Sequence, residues 1–371
     1  MNENKSNTTS RQHSQPPQQQ QQQQSAANIY QTLRSGIAPG TQPSRRVMAC
    51  LDRSARAEVC APYAGFMARA LRAELTLVHV VPAQAGGDPG AFDMLGWEIQ
   101  RREAEQYLTG ARAHLEGSAL APEHVRTELA QGQPAERVLA LERELSPEIT
   151  ILARGSRGGG RIGWSLGATA QQVIMNSAGS VLVVPREMAP VIPPKRILVP
   201  LDGSQRAESV LSLVLETATT QDAEVVLLHV VNEPRSSGVL SDGEDLRLAR
   251  TLAARMKIGG QSYLDGVRSR LLRDISRVTV RVVVSADTRE AVLDAARDER
   301  ADLIVLSAHG TTCNADHPFG SVTIHALAHA KLPVLVVQDL RASERRSDRP
   351  PSDEASAEVG RSALSTRAAA H

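Results

Sequence analysis

Residues 196–202 read Arg-Ile-Leu-Val-Pro-Leu-Asp, and a closely similar heptapeptide, Arg-Val-Met-Ala-Cys-Leu-Asp, occupies residues 46–52, 150 positions earlier. Two further pairs of apolar segments match in the same order: Leu77-Val-His-Val-Val81 with Leu227-Leu-His-Val-Val231, and Val181-Leu-Val-Val184 with Val334-Leu-Val-Val337. Similar segments that recur in one order at nearly one spacing indicate an internal repeat. The sequence therefore predicts two domains of the same fold.

Each half alternates short apolar runs with longer segments whose apolar residues recur at helical spacing. This alternation is typical of βαβ units and a parallel sheet. In the second half it predicts strands near residues 196–201, 224–231, 278–284, 302–306 and 333–337, and helices near residues 206–219, 244–275, 288–299 and 321–330. Because several strands are continuously apolar, helices should cover both faces of the sheet. Each half is predicted to be a doubly wound α/β domain with a five-stranded parallel sheet.

The composition limits the classes of protein to which the chain can belong. Of its 371 residues, 41% are hydrophobic but only nine are aromatic (two Trp, four Tyr, three Phe), so the core should be aliphatic. A net charge of +1 argues against a general affinity for nucleic acid or for anionic membranes. The first ten residues are polar, no run approaches about 20 apolar residues, and the three cysteines lack a CxxC spacing. We therefore expect a cytoplasmic protein without a transmembrane segment.

Composition also changes along the chain. Residues 1–44 are rich in Asn, Ser, Thr, Pro and Gln, and residues 341–371 show no sustained apolar face. Both ends are expected to be disordered tails, the first one Gln-rich. The expected division is a tail at 1–44, a first domain at 45–186, a linker at 187–194, a second domain at 195–340 and a tail at 341–371.

Ligands of doubly wound sheets bind beyond the carboxyl ends of the strands. In the second half two loops lie there: Asp202-Gly-Ser204 after the first strand, and residues 307–321 after the fourth. Glycines at 310 and 320 lack a Cβ, so backbone N–H groups there can approach a phosphate, and the helix that follows has free N–H groups that favour an anion. We therefore expect a phosphate at the start of this helix, against Gly320, Ser321 and Val322.

These loops resemble the universal stress protein family. The resemblance rests on Leu201-Asp-Gly-Ser204, on Leu227-Leu-His-Val-Val231, and on Gly310 followed by nine residues and Gly320-Ser321. Members with the pattern G-x-x-G, nine residues and G-[ST] bind ATP, and here Ser307 stands at the first glycine. The resemblance covers residues 45–186 and 195–340, and it implies an adenine nucleotide alpha hydrolase-like fold with strand order 3-2-1-4-5.

The resemblance also implies roles for single residues. Asp202 would mark the adenosine end of the site, and the backbone at Val230 would flank the base. Ser307, His309 and Gly310 would belong to the phosphate loop, where a histidine is common in this family. The ligand would be ATP with Mg²⁺.

Simpler interpretations of the same residues remain open. Asp202 could be only the N-cap of the next helix, with Gln205 completing a capping pair. In the same way, Ser321 could be only an N-cap and Gly310 only a turn residue. Each residue alone is a weak signal, and their joint order and spacing favour the nucleotide site.

The first half carries a damaged copy of this site. Its departures are Arg53 in place of the glycine after Asp52 and Ala168 at the hydroxyl position. Counting back from Gly167 places Arg154 and Arg157 at the two glycine positions, and if Gly155 and Gly158 are taken instead, the spacer is eight residues, one short. Gly158-x-Gly160-x-x-Gly163 has the form of a dinucleotide fingerprint, but no acidic residue follows before Arg186, so we interpret the match as coincidental. We interpret Arg154, Arg157 and Arg161 as a solvated basic loop, with a bound anion or acidic partner as the alternative.

Other clusters of histidine, cysteine and acidic residues match no standard site pattern. His309, Cys313, Asp316 and His317 share one loop, and His325 and His329 follow on the next helix, but their spacing fits no standard zinc pattern. We expect no metal site. His79 and His229 recur at one repeat position, which indicates packing or a backbone hydrogen bond. No catalytic residue can be assigned from spacing.

The whole sequence predicts a tandem universal stress protein that binds ATP in its second domain and regulates a stress response, with at most slow hydrolysis. The alternatives are a slow ATPase or adenylyl-transfer enzyme on the same fold, and an interaction module without a ligand. The apolar strands 181–184 and 334–337 should pair, as an internal pseudo-dimer or in a homo-oligomer. The expected partners are an adenine nucleotide and an unidentified protein, with no nucleic acid and no membrane.

Overall fold

A computed structural model describes residues 45–53, 59–82, 94–118, 122–155, 166–185, 193–233, 243–311 and 318–338. The predicted tails at 1–44 and 341–371, and residues 187–192 of the predicted linker, lie outside these ranges. Among the described helices, none is long and apolar enough to span a bilayer.

Strands and helices alternate in the first half as the pattern predicts. Its elements are β1 (Arg46–Cys50), α1 (Cys60–Ala70), β2 (Glu74–Val81), α2 (Met94–Glu116), β3 (Val125–Gln131), α3 (Pro134–Leu145), β4 (Ile149–Ala153), α4 (Ala168–Asn176) and β5 (Ser180–Val184).

The second half repeats this order with one additional short helix. Its elements are β6 (Arg196–Pro200), α5 (Gln205–Glu208), α6 (Leu211–Gln221), β7 (Glu224–Asn232), α7 (Gly243–Leu271), β8 (Val278–Ser285), α8 (Thr288–Asp298), β9 (Leu303–Ser307), α9 (Ser321–His329) and β10 (Val334–Val337). All five strands predicted in this half are confirmed, with ends that differ by one residue or less.

The ten strands form one sheet in the order β3-β2-β1-β4-β5-β10-β9-β6-β7-β8. Within each half the strands are parallel and follow the order 3-2-1-4-5, as the family resemblance implies. The halves meet where β5 and β10 pair antiparallel, with Leu182 opposite Leu335. The expected pairing of the last strands is therefore present within the chain.

The core is aliphatic and lies on both faces of the sheet. Ile197 and Val199 of β6 belong to one buried cluster, while Leu198 between them belongs to the other. Neighbouring residues of a strand point to opposite faces, so a strand covered on both sides has to be apolar throughout. This explains why the strands read as continuous apolar runs.

The helix predicted over 206–219 is interrupted. Helix α5 ends at Glu208, and α6 begins at Leu211. The hydroxyl of Ser209 donates to the carbonyl oxygen of Arg206 at 2.7 Å. Ser209 and Val210 keep right-handed helical angles, with φ of −59° and −70°, so the interruption is confined to the hydrogen-bond ladder.

Two arginines of the first half bond to the second half. The guanidinium of Arg45 donates to Glu148 at 2.5 and 2.6 Å and to Glu216 on α6 at 2.5 Å. The guanidinium of Arg154 donates to the carbonyl oxygen of Ala330, the C-cap residue of α9, at 2.6 Å. Charge-assisted bonds of this kind hold the two halves in one register.

Candidate functional site

Asp202 joins the two loops in which the sequence predicts the site. It follows β6, and its Oδ1 accepts hydrogen bonds from the backbone N–H of Ser204 at 2.9 Å and from the hydroxyl of Ser204 at 2.7 Å. Its Oδ2 accepts from the backbone N–H of Thr311 at 2.6 Å and from the hydroxyl of Thr311 at 3.2 Å. The carboxylate therefore connects the loop after β6 with the loop after β9.

The interpretation of Asp202 as only a helix cap is wrong. Ser204 is the N-cap of α5, since its hydroxyl oxygen accepts from the backbone N–H of Ala207 at 3.1 Å. Asp202 lies two residues earlier and bonds across to Thr311. Asp and Ser are both common N-cap residues, and only the geometry of the turn shows which of the two caps this helix.

Two glycines beside Asp202 are required by the fold. A Cβ on Gly310 would overlap with Oδ2 of Asp202, so only glycine allows the carboxylate this close. Gly203 has a φ of +89°, a conformation in which side chains are strained. Gly310 is explained by the bond between the loops and Gly203 by its positive φ, whether or not a ligand is bound.

Gly320 differs, because the fold does not require glycine there. Its φ is −70°, and a Cβ would make only ordinary contacts, at 3.7 Å from the carbonyl oxygen of Ala308 and 3.9 Å from Cα of His309. Its N–H donates to the carbonyl oxygen of Ala308 at 2.8 Å, which fixes its position. A glycine in unstrained backbone with free space beside it is expected where another molecule approaches the backbone.

The start of α9 offers free hydrogen-bond donors. Gly320 is the N-cap without a side-chain cap, and the first intrahelical bond runs from the N–H of Ile324 to the carbonyl oxygen of Gly320 at 3.0 Å. Within the described part of the chain, no acceptor faces the N–H groups of Ser321, Val322 and Thr323. Ser321 is exposed and follows the cap, so its interpretation as an N-cap is wrong. This end of α9 is suited to an anion.

Ser307 and His309 shape the loop from inside. Both are buried, and the hydroxyl of Ser307 donates to the carbonyl oxygen of His309 at 2.6 Å. The hydroxyl of Thr323 on α9 donates to the carbonyl oxygen of Ser307 at 2.9 Å. Val230 lies half-buried in β7, next to the central strand β6.

Thr311 and Thr323 were not identified from the sequence. Each uses its hydroxyl to bond to a residue of the predicted site, namely Asp202 and Ser307. Thr311 directly follows Gly310, which was the available signal, but a threonine in a loop is too common to single out. Their contribution depends on contacts between distant parts of the chain.

The hydrogen bonds of Asp202 keep it ionised. Burial pushes its pKa up, but the bonds from Ser204 and Thr311 outweigh that effect, and the pKa of Asp202 is lowered. A carboxyl group whose pKa is lower in the folded than in the unfolded chain stabilises the fold when it is ionised. This stabilisation is complete above the unfolded pKa of about 3.9 and is lost as the pH falls through the folded pKa.

We expect Asp202→Asn to destabilise the protein more at neutral than at acidic pH. An asparagine can accept on only one side, so the N–H of Thr311 or of Ser204 loses a charged acceptor. The urea midpoints of wild type and variant should therefore differ at pH 7 and approach each other only as the pH falls below about 3.9, toward the lowered pKa of folded Asp202. An equal difference at both pH values would show that the charge of Asp202 does not contribute.

The first half is built differently at the matching position. The N–H of Gly155 donates to the carbonyl oxygen of Leu166 at 2.5 Å, and its backbone packs against Gly167, the N-cap of α4, which has a φ of +80°. Arg53 replaces Gly203 with a φ of +61° and pairs with Glu103 at 2.8 Å. The loop after β4 thus lies directly on the start of α4.

Arg154 and the two repeated histidines, His79 and His229, make structural contacts. The interpretation of Arg154 as part of a solvated basic loop is wrong, because its half-buried side chain bonds to the carbonyl oxygen of Ala330. Arg157, Arg161 and the motif Gly158-x-Gly160-x-x-Gly163 lie outside the described residues. His79 and His229 bond through Nδ1 to the carbonyl oxygens of Leu51 and Leu201 at 2.6 and 2.8 Å, which confirms their structural role.

The histidines of α9 make local contacts. The rings of His325 and His329 lie 4.5 Å apart, and Nε2 of His325 is 3.0 Å from Oε1 of Glu290. Cys313, Asp316 and His317 lie outside the described residues. In the described part, no three His, Cys, Asp or Glu side chains are grouped to hold a metal ion.

Comparison with known proteins gives matches to both halves. The model of the Universal stress protein family matches residues 43–185 and again residues 193–338. Universal stress protein Rv2005c of Mycobacterium tuberculosis is 26% identical over 306 residues, which cover 79% of this chain and 96% of the relative. Universal stress protein MJ0577 of Methanocaldococcus jannaschii is 27% identical over 154 residues, or 39% of this chain and 94% of the relative.

Solved structures share the fold. The crystal structure of a universal stress protein from Archaeoglobus fulgidus matches with a TM-score of 0.55 at 17% identity, covering 81% of this chain and all of that one. A putative universal stress protein from Pseudomonas aeruginosa matches with a TM-score of 0.54 at 13% identity, covering 82% of this chain and 98% of that one.

Proposed function

Because the chain belongs to the universal stress protein family, we propose that its second half binds ATP, with Mg²⁺, at the start of α9 and beside Asp202. The observation that carries the proposal is Gly320, a glycine that the fold does not require, next to the free N–H groups of α9. Residues Gly320, Ser321 and Val322 would hold the phosphates through their backbone. The glycine would allow the phosphate oxygens to approach.

The adenosine end would lie at Asp202 and Val230. The two oxygens of Asp202 already accept four hydrogen bonds, two of them from the hydroxyls of Ser204 and Thr311. A ribose hydroxyl or an adenine amino group would replace one of these hydroxyls, while the backbone bonds keep the carboxylate in position. Gly310 and the buried Ser307 and His309 would hold the phosphate loop in shape.

The biological role we propose is regulatory. The second half would report the nucleotide state of the cell to an unidentified protein partner, and the chain would act in the cytoplasm. The two domains would join between residues 187 and 194. Because β5 and β10 pair with each other, a homo-oligomer would have to use another surface than these strands.

The test is thermal unfolding of the full chain with and without Mg-ATP. A ligand that binds only the folded protein raises the melting temperature in a concentration-dependent way. Mass spectrometry of the purified protein should also detect a bound adenine nucleotide. An unchanged melting temperature at millimolar Mg-ATP would contradict the proposal, and steady phosphate release near ~1 s⁻¹ would favour an ATPase.

A further inference from the structure

Helix α7 is buried along only part of its length. Its buried residues are Gly260, Leu264, Val267 and Leu271, all in its second half. Residues 247–258, which we call the α7 arm, contain no buried residue. Twelve residues of helix measure about 18 Å. The arm is therefore a helical surface that the rest of the described chain does not cover.

The α7 arm has an apolar stripe. Leu248, Leu252 and Met256 are 68%, 48% and 43% exposed and recur every four residues. Side chains at this spacing lie along one face of a helix. The half-buried Ala249 and Ala253 widen the same face. Ile258, also exposed, points to another side.

The polar side of the arm carries only positive charge. Its cations are Arg247, Arg250, Arg255 and Lys257, and no acidic residue occurs between positions 246 and 264. None of the four forms an ion pair with a described residue. By helical spacing Arg255 lies on one flank of the stripe and Lys257 on the other. The arm is a basic amphipathic helix, although the whole chain carries a net charge of only +1.

Helix α2 provides an internal comparison. Leu95 and Ile99 at its start are also exposed, at 72% and 51%. The charges around them, however, are paired: Arg101 with Glu105 at 3.0 Å, Arg102 with Glu98 at 4.0 Å, and Glu103 with Arg53 at 2.8 Å. Unpaired positive charge beside the apolar stripe distinguishes the α7 arm.

We propose that the α7 arm docks on an anionic lipid surface. Basic residues on both flanks of an apolar stripe can reach lipid phosphates while the stripe enters the interface. An anionic surface suits the arm better than a second copy does, because paired arms would bring eight cations together with only the acidic residues 244 and 245 at the start of each α7 to oppose them. The stripe requires an apolar phase as well as negative charge, and a lipid interface supplies both on a flat surface.

The test is flotation of the full chain with vesicles of phosphatidylcholine alone and with vesicles that also contain phosphatidylglycerol. The protein should float only with the anionic vesicles and be released by 1 M salt, at which charges are screened within about 3 Å. Arg250→Gln with Arg255→Gln should lower the partition coefficient about 30-fold. Because both residues are exposed, circular dichroism should show an unchanged fold.

A second pair of variants separates lipid docking from other anionic partners. Leu252→Ser with Met256→Ser should also reduce flotation, whereas Leu95→Ser with Ile99→Ser on α2 should not. Binding that depends on the arginines but not on Leu252 and Met256 would overturn the proposal and indicate an acidic protein or a nucleic acid. Failure of the wild type to float with anionic vesicles would overturn it as well. Neither result bears on ATP binding.

Discussion

Gly320→Ala is expected to remove most of the stabilisation by Mg-ATP while the unliganded protein stays as stable as wild type. A methyl group at this position would make only ordinary contacts, with the nearest atom at 3.7 Å, and the φ of −70° suits alanine. The fold should therefore accept the substitution. The methyl group would nevertheless stand where the phosphate has to approach the first N–H groups of α9.

The expected loss is large because hydrogen bonds to charged groups are strong. Losing one such bond costs about 1.5–3 kcal/mol, which corresponds to a rise of about 13- to 160-fold in the dissociation constant. Isothermal titration with Mg-ATP and thermal unfolding in its presence both measure this change. Unfolding without nucleotide checks that the fold is intact.

Ala168→Glu in the first half is the matched control. Ala168 begins α4 as Ser321 begins α9, and it is exposed. A glutamate there would repel an anion at the start of α4 but would not affect the start of α9. The response to Mg-ATP should therefore be unchanged. If Ala168→Glu removed the response and Gly320→Ala did not, the nucleotide would bind in the first half.

The strands of this protein could be predicted closely because their signal is local. A strand covered on both faces is apolar at every position, as Leu303-Ile-Val-Leu306 illustrates, so its ends are visible in the sequence. The break at Ser209 was missed, because Ser209 and Val210 keep helical backbone angles and only the hydrogen-bond ladder is interrupted. A serine in the first turns of a helix is compatible with a continuous helix and with an interrupted one.

The candidate site was predicted in part for a related reason. Asp202, Gly310 and Gly320 could be singled out as candidates because their order and spacing carry the signal. Their individual roles were not visible, since Gly310 is explained by the approach of Asp202 and Gly320 has no such explanation within the fold. Two glycines that look alike in the sequence thus lead to opposite expectations for substitution.

The two halves also differ in ways that a comparison of motifs does not reveal. Arg45 and Arg154 of the first half bond to Glu216 and to the end of α9 in the second half. Counting back from Gly167 puts Arg154 on a glycine position of the pattern, but Ala153 pairs with Val184 as Ser307 pairs with Val337, so in the structure Arg154 corresponds to Ala308. Arg154 therefore contacts the C-terminal end of α9, and we propose that the phosphate binds at the N-terminal end of the same helix.

Gly155→Ala is expected to destabilise the protein strongly without affecting nucleotide binding. A Cβ at this position would overlap with Cα of Gly167 and lie 2.5 Å from the carbonyl oxygen of Leu166. These neighbours are backbone atoms, and Leu166 is buried, so the loop cannot adjust by a rotation of side chains. Overpacking against backbone should cost about 3 kcal/mol of unfolding free energy.

Gly110→Ala serves as the control for this last prediction, because no atom lies within 4 Å of a Cβ at Gly110 in α2. Alanine favours helix over glycine, so this variant should be stabilised by about 0.5–1 kcal/mol. Urea unfolding of both variants measures the two free energies. In Gly155→Ala the folded protein should still respond to Mg-ATP, because the proposed site lies in the other half. A wild-type unfolding free energy for Gly155→Ala would mean that the loop after β4 does not rest on α4.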